Sequence, residues 1–220
     1  FIDVTERIGL IGVLGEGVLR EACRKGAQWQ AEGHQDLMVS VNVSPLQFDD
    51  PGFAKTVSRV LQETGMTPQR LELEVTETAV QTRSSSVSTF EYLKEVGVSL
   101  AIDDFGTGYS VLSSLKRLPI DKLKVDRVFI RDIIDNPTDS LMLGTIVGLA
   151  HAMGYQVVAE GAENLDQVQV LAGFQCDFVQ GFYVAKPMPT QALHGLLNSR
   201  FDPARATFVN AAPRPVEATS

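Results

Sequence analysis

With 220 residues, 44% of them hydrophobic, the chain can form one large domain or two small ones around a buried core. Its formal net charge of -8 excludes a general nucleic-acid or anionic-membrane surface, which needs clustered Lys and Arg, but allows a small phosphate ligand whose charge a bound cation offsets. Cys23 and Cys176 fit no metal spacing and read as reduced, buried residues of a cytoplasmic protein, and no apolar run approaches the ~20 residues that cross a bilayer.

The chain opens on Phe1, directly on an amphipathic segment, so an upstream portion is expected to be missing. Val18, Leu19, Ala22, Cys23 and Trp29 then keep helical spacing before a stop at Gly33. Leu37–Val43 reads as a first strand. Phe53, Val57, Val60 and Leu61 predict a second helix between a cap at Asp50-Pro51 and a stop at Gly65. Strands follow at Leu71–Val75, Val98–Asp103, Lys122–Asp126, Tyr155–Glu160 and Cys176–Gln180. Helices are expected at about 84–96, 110–117, 139–153, 164–172 (capped by Asn164, stopped by Gly173) and 190–198. Phe201–Ser220 turns rich in Ala and Pro and reads as a disordered tail. Strands that alternate with helices predict a parallel sheet, either doubly wound or closed into a barrel, and periodicity cannot choose between the two.

Side chains alternate across a strand with period two. One face collects Val39, Val41, Val43, Leu71, Leu73, Val75, Leu100, Ile102, Leu123 and Val125, which suits a layer of helices. The other gathers Asn42, Glu74, Asp103, Lys124, Glu160 and Gln180, each at or near the C-terminal end of its strand. In a (β/α) barrel these would converge on one mouth, whereas a doubly wound sheet would spread them along a line. Convergence therefore favours a TIM-like barrel, incomplete here, with about six of eight strands. Glu74, Asp103, Asp104 and Glu160 in one pocket repel unless protonated or bridged by a cation, and hard oxygen donors without Cys or clustered His select Mg²⁺ or Mn²⁺. A bridging carboxylate at Asp103-Asp104, between two ions roughly 4 Å apart, is the usual device for displacement at phosphorus. His34, His151 and His194 read as structural or surface residues.

Six segments together resemble the EAL-domain family of cyclic di-GMP phosphodiesterases: Ser40–Pro45, Glu72–Glu77, Ile102–Ser110, Leu123–Asp126, Val158–Glu163 and Val179–Phe182. The resemblance covers residues 1 to about 190. The resemblance implies that the first two strands are the missing ones, so residues 1–200 are expected to be an EAL domain without its N-terminal strands and its Glu-Ala-Leu segment, which supplies a further metal ligand in the family. The resemblance implies that Asn42, Glu74 and Asp103 bind one metal, that Asp103, Asp104 and Glu160 bind a second, and that Lys124 holds the attacking water. It also implies that Gln180, Glu163 and Asp126 support the site or its ligand. Glu77 would brace the Phe105–Ser110 loop, near which relatives dimerise. The implied reaction is hydrolysis of cyclic di-GMP to linear pGpG with Mg²⁺ or Mn²⁺, in a cytoplasmic, homodimeric domain that follows sensory or diguanylate-cyclase domains. It would touch neither a nucleic-acid polymer nor a membrane. A receptor that binds cyclic di-GMP without cleaving it is the alternative. An unrelated magnesium barrel acting on a carbon acid, with Lys124 as base, is recommended by fold alone.

Overall fold

The computed structural model describes residues 2–77, 86–106, 115 and 118–198. The helices are α1 (Ile2–Arg7), α2 (Ile11–Ala31), α3 (Pro45–Phe48), α4 (Phe53–Thr64), α5 (Ser86–Val96), α6 (Pro137–Ala152), α7 (Leu165–Gly173) and α8 (Thr190–Asn198). The strands are β1 (Val39–Val43), β2 (Leu71–Thr76), β3 (Ser99–Phe105), β4 (Lys122–Val125), β5 (Gln156–Glu160) and β6 (Phe178–Gln180). They follow one another in sheet order β1-β2-β3-β4-β5-β6, and β1 with β2, β2 with β3 and β5 with β6 pair in parallel. A doubly wound sheet reverses its order at a switch point, so this unbroken succession is the winding of a (β/α) barrel.

The chain falls into two compact units, one taking in everything up to Lys124 together with Met153–Tyr155, the other Val125–Ala152 and the chain from Gln156 onward. In the first unit, Leu71, Leu73, Val75, Leu100 and Ile102 are fully buried, and so are Val57 and Val60 of α4, Cys23 of α2 and Leu93 of α5. Phe48 packs on Phe53 and Phe90, with ring centroids 6.1 and 4.6 Å apart. Each such side chain contributes about 1.5–3 kcal/mol by leaving water. In the second unit Val157 and Ala159 of β5 are buried, as are Leu143 and Ala150 of α6, Leu171 of α7, and Ile130. Burial pushes the Cys23 thiol up to about 11 and the Cys176 thiol up to about 12, so both stay protonated and behave as small apolar residues.

Local chemistry sets most of the element ends. Asn164 caps α7 through a capping box with Gln167. The stop at Gly65 holds, with φ 71° closing α4 in a left-handed turn that glycine adopts without strain. The Asp50-Pro51 cap does not form as expected: Gly52 occupies the cap position, and Asp50 Oδ1 instead accepts from the Gly52 N–H at 2.8 Å. Periodicity also missed α1 and α3, which are too short to show it. The sixth strand begins at Phe178 rather than Cys176 because the Asp177 carboxylate turns back to accept from the Val157 N–H at 2.7 Å. The expected helix over 110–117 lies outside the described residues apart from Leu115, whose carbonyl accepts from the Tyr155 hydroxyl at 2.8 Å. The tail 201–220 lies outside them altogether. Among the described residues, no helix is long and apolar enough to cross a membrane.

Leu73 is fully buried in β2, on the face opposite Glu72 and Glu74. Leu73→Ala should lower the unfolding free energy by about 2–5 kcal/mol through lost transfer energy and the cavity left behind. Urea denaturation would show this as a lower midpoint at unchanged slope.

Candidate functional site

Parallel pairing carries the polar face of each strand into line with the next. Asn42 stands opposite Glu74, Glu74 opposite Ala101, and Thr76 opposite Asp103. Lys124 projects from β4, and its ammonium reaches back across β3 to the carboxylate of Glu74 at 2.6 Å, with Asp103 Oδ1 3.0 Å away. Ala101, opposite Glu74 on the intervening strand, is small enough to let this link pass. The Lys124 side chain is 4% exposed, that of Glu74 7% and that of Asp103 13%, so three ionisable groups meet almost out of water. Charges buried this way are tolerable only as a compensated set. Burial raises the Glu74 carboxyl above its ordinary value; hydrogen bonding and charge from Lys124 lower it, and the negative charges of Asp103 and Glu72 raise it further. The Lys124–Asp103 contact is within ion-pair distance, yet Asp103 Oδ1 is buried and takes no hydrogen bond.

Asp104 follows in the left-handed conformation, with φ 54°, and is exposed. Asp tolerates this region better than most residues, and the kink interrupts the alternation of β3 at its acidic pair. Glu77, 5% exposed, accepts from the Gly106 N–H at 3.2 Å and so ties the start of the following loop to the end of β2. The rest of the expected Phe105–Ser110 element, from residue 107, lies outside the described residues.

In the second unit, Glu160 stands opposite Gln180 at the ends of β5 and β6. Their loops interlock through the backbone, where the Ala162 N–H donates to the Gln180 carbonyl at 3.1 Å and the Tyr183 N–H to the Ala162 carbonyl at 3.0 Å. Gly181 is required there, because a Cβ would lie 2.1 Å from the Ala162 carbonyl oxygen. Asp126 caps the turn Arg127–Phe129 by accepting from the Val128 N–H at 2.8 Å, and Glu163 is exposed beside the α7 cap. Within the first unit, then, Glu74, Asp103 and Lys124 come together, with Asn42 opposite Glu74 in register. Glu72 and Lys122, two positions before Glu74 and Lys124 and so on the same faces of β2 and β4, form a further buried pair.

Comparison with known proteins yields a consistent set of likenesses. A family model described as "EAL domain" matches residues 1–187. The chain is 41% identical over 194 residues to "Bifunctional diguanylate cyclase/cyclic di-GMP phosphodiesterase MucR" of Pseudomonas aeruginosa, covering 88% of this chain and 28% of that protein. It is likewise 41% identical over 206 residues to "Cyclic di-GMP phosphodiesterase NbdA" of the same organism, covering 93% of this chain and 26% of that one. Among solved structures, "PaMucR Phosphodiesterase, c-di-GMP complex" superposes with a TM-score of 0.84 at 41% identity, covering 88% of this chain and 78% of that one. The chain thus spans about a quarter of the length of these two curated relatives.

Removing the ammonium from this set leaves two carboxylates facing each other out of water. Lys124→Met should cost about 3–5 kcal/mol of stability at pH 7. Because a raised carboxyl binds its proton more tightly in the fold than in the open chain, Glu74 contributes stability at low pH that is lost as pH rises through its folded value. The Lys124→Met deficit should therefore shrink on acidification toward the ordinary Glu value of 4.5, as urea midpoints at several pH values would show.

Proposed function

This chain belongs to the EAL domain family, and from that premise we propose that it hydrolyses one phosphodiester of cyclic di-GMP to give linear pGpG. What carries the reading to these residues is the buried Lys124 set, with one Asp103 oxygen left without a hydrogen bond, in a chain 41% identical to a phosphodiesterase whose structure was solved as a c-di-GMP complex.

A hard divalent cation fits the donors. Asn42, Glu74, Asp103, Asp104 and Glu160 offer only oxygen, and a buried carboxylate oxygen that accepts no hydrogen bond is the kind of atom a cation satisfies. In this reading Asn42, Glu74 and Asp103 hold one Mg²⁺ or Mn²⁺, and Asp103, Asp104 and Glu160 a second. Such ions, when bound, neutralise phosphate oxygens and make water a stronger acid. Lys124 Nζ, held between Glu74 and Asp103, orients the attacking water and stabilises hydroxide as it forms. The Glu160 carboxylate takes up the proton that this water loses, while Asp103 stabilises the charge that develops beside it. Its oxygen bonds to phosphorus as the bond from phosphorus to the ribose O3′ breaks, and that oxygen leaves with a proton from solvent. Glu77 holds the loop beyond β3, and Gln180, Glu163 and Asp126 support the ligand side. The same reading has the domain acting in the cytoplasm as a homodimer, downstream of sensory or diguanylate-cyclase domains.

Purified protein incubated with cyclic di-GMP and Mg²⁺ or Mn²⁺ should form pGpG, followed by chromatography. EDTA should abolish the product, and Asp103→Asn should lower kcat by at least about a hundredfold, the scale of losing an electrostatic group at the reacting centre. Turnover that survives either treatment overturns the metal assignment. Tight binding without pGpG makes the protein a receptor instead.

A further inference from the structure

Below the Glu74–Lys124 pair lies a second buried ion pair that the proposed chemistry does not use. One pleat nearer the N-terminal ends of the same strands, Lys122 Nζ sits 2.6 Å from Glu72 Oε2, with 10% and 5% of the two side chains exposed. Glu72 Oε1 also accepts from Ser40 Oγ at 2.9 Å, and Oε2 from Ser99 Oγ at 3.2 Å. Ser40, Glu72 and Ser99 are register partners, as are Asn42, Glu74 and Ala101 one pleat higher. Both ion pairs therefore cross β3, over Ser99 and Ala101, and tie β2 to β4, two strands that are not neighbours in the sheet.

Two carboxylates on β2 thus face two ammoniums on β4 at the same spacing. Residues two apart on one face are separated by about 6.6 Å at ~3.3 Å per residue, a distance that a lysine's four methylenes can sweep. On that spacing Lys124 comes within reach of Glu72. What distinguishes the layers is saturation: Glu72 has three donors on its two oxygens, while Asp103 in the upper layer keeps an oxygen with no hydrogen bond. A Glu72 stripped of its ammonium would be a desolvated, uncompensated carboxylate one pleat from Lys124, and such a charge attracts the nearest cation strongly.

We propose that Glu72 and Lys122 are a positioning pair: Lys122 saturates Glu72, and this leaves the Lys124 ammonium in the upper layer with Glu74 and Asp103. The proposal rests on the reading of Lys124 as the group that orients the attacking water, and it deepens that reading by saying what keeps Lys124 in place. It makes the two partners unequal. Losing Lys122 frees Glu72 to draw Lys124 down, whereas in Glu72→Gln the amide oxygen still accepts from Lys122 while the negative charge that would compete for Lys124 is gone, so Lys124 stays where it is.

Three variants test this with cyclic di-GMP hydrolysis. Lys122→Met should lower kcat at least tenfold with KM within twofold of wild type. Glu72→Gln should keep kcat within threefold. The double variant Glu72→Gln/Lys122→Met should recover kcat to within threefold. A purely structural ion pair predicts losses from both single variants and no recovery of kcat. Equal losses from the two single variants, a fully active Lys122→Met, or a double variant no better than Lys122→Met would each overturn the proposal. Should Lys122→Met not fold, Glu72→Gln still decides, since a tenfold fall in its kcat is incompatible with Glu72 being only a competitor. The ¹⁵Nζ–Hζ resonance of Lys124 gives a reading independent of turnover: it should shift in Lys122→Met and return in the double variant, and an unmoved resonance overturns the proposal. If wild type forms no pGpG, the hydrolase reading fails while this resonance still judges the positioning pair.

Discussion

The ammonium of Lys124 is what allows two acidic side chains to be buried at the ends of β2 and β3. Glu74 and Asp103 are held almost out of water on the polar face of the sheet, where buried charges need a compensating partner. Their placement follows from that pairing. Asp103 Oδ1 lies within ion-pair distance of the same ammonium without accepting a hydrogen bond from it.

The sheet provides the platform. Strands follow one another in the sheet without reversal, and where they pair in parallel the register carries the polar face of one into line with that of the next at their C-terminal ends. Small residues on β3 are as necessary as the charged ones, since bulk at Ser99 or Ala101 would block the ties between β2 and β4. In the second unit the corresponding work is done by backbone. Gly181 lets the loop after β6 close against Ala162, and that contact sets the ends of β5 and β6 from which Glu160 and Gln180 extend.

How far these elements could be read in advance depended on whether their cause was local. The α7 cap was legible because Asn164 and Gln167 satisfy each other within one turn. The start of β6 was not, because it is decided by an Asp177 carboxylate bonded to the backbone of another strand. The Asp50 side chain failed as a helix cap for a related reason: its bond to the Gly52 N–H makes a tighter local turn and moves the helix start two residues on. Period two puts Glu72 and Lys122 on the faces of Glu74 and Lys124, but nothing in their spacing distinguishes a pair from two separate surface charges.

By itself the sequence determined which residues share a face, where most helices stop, and that oxygen donors of the hard type end successive strands, since each of these follows from the period-two pleat, the capping chemistry and residue type within a few positions. Only the tertiary structure decided that the strands run in unbroken order, that Lys124 pairs with Glu74 and Lys122 with Glu72 across an intervening strand, and that Asp103 comes within ion-pair distance of the same Lys124 ammonium. Alternation says which way a side chain faces and not what it meets. The partner is chosen by which strands lie side by side and by how strongly burial penalises a charge left alone, and both of those are properties of the packed chain.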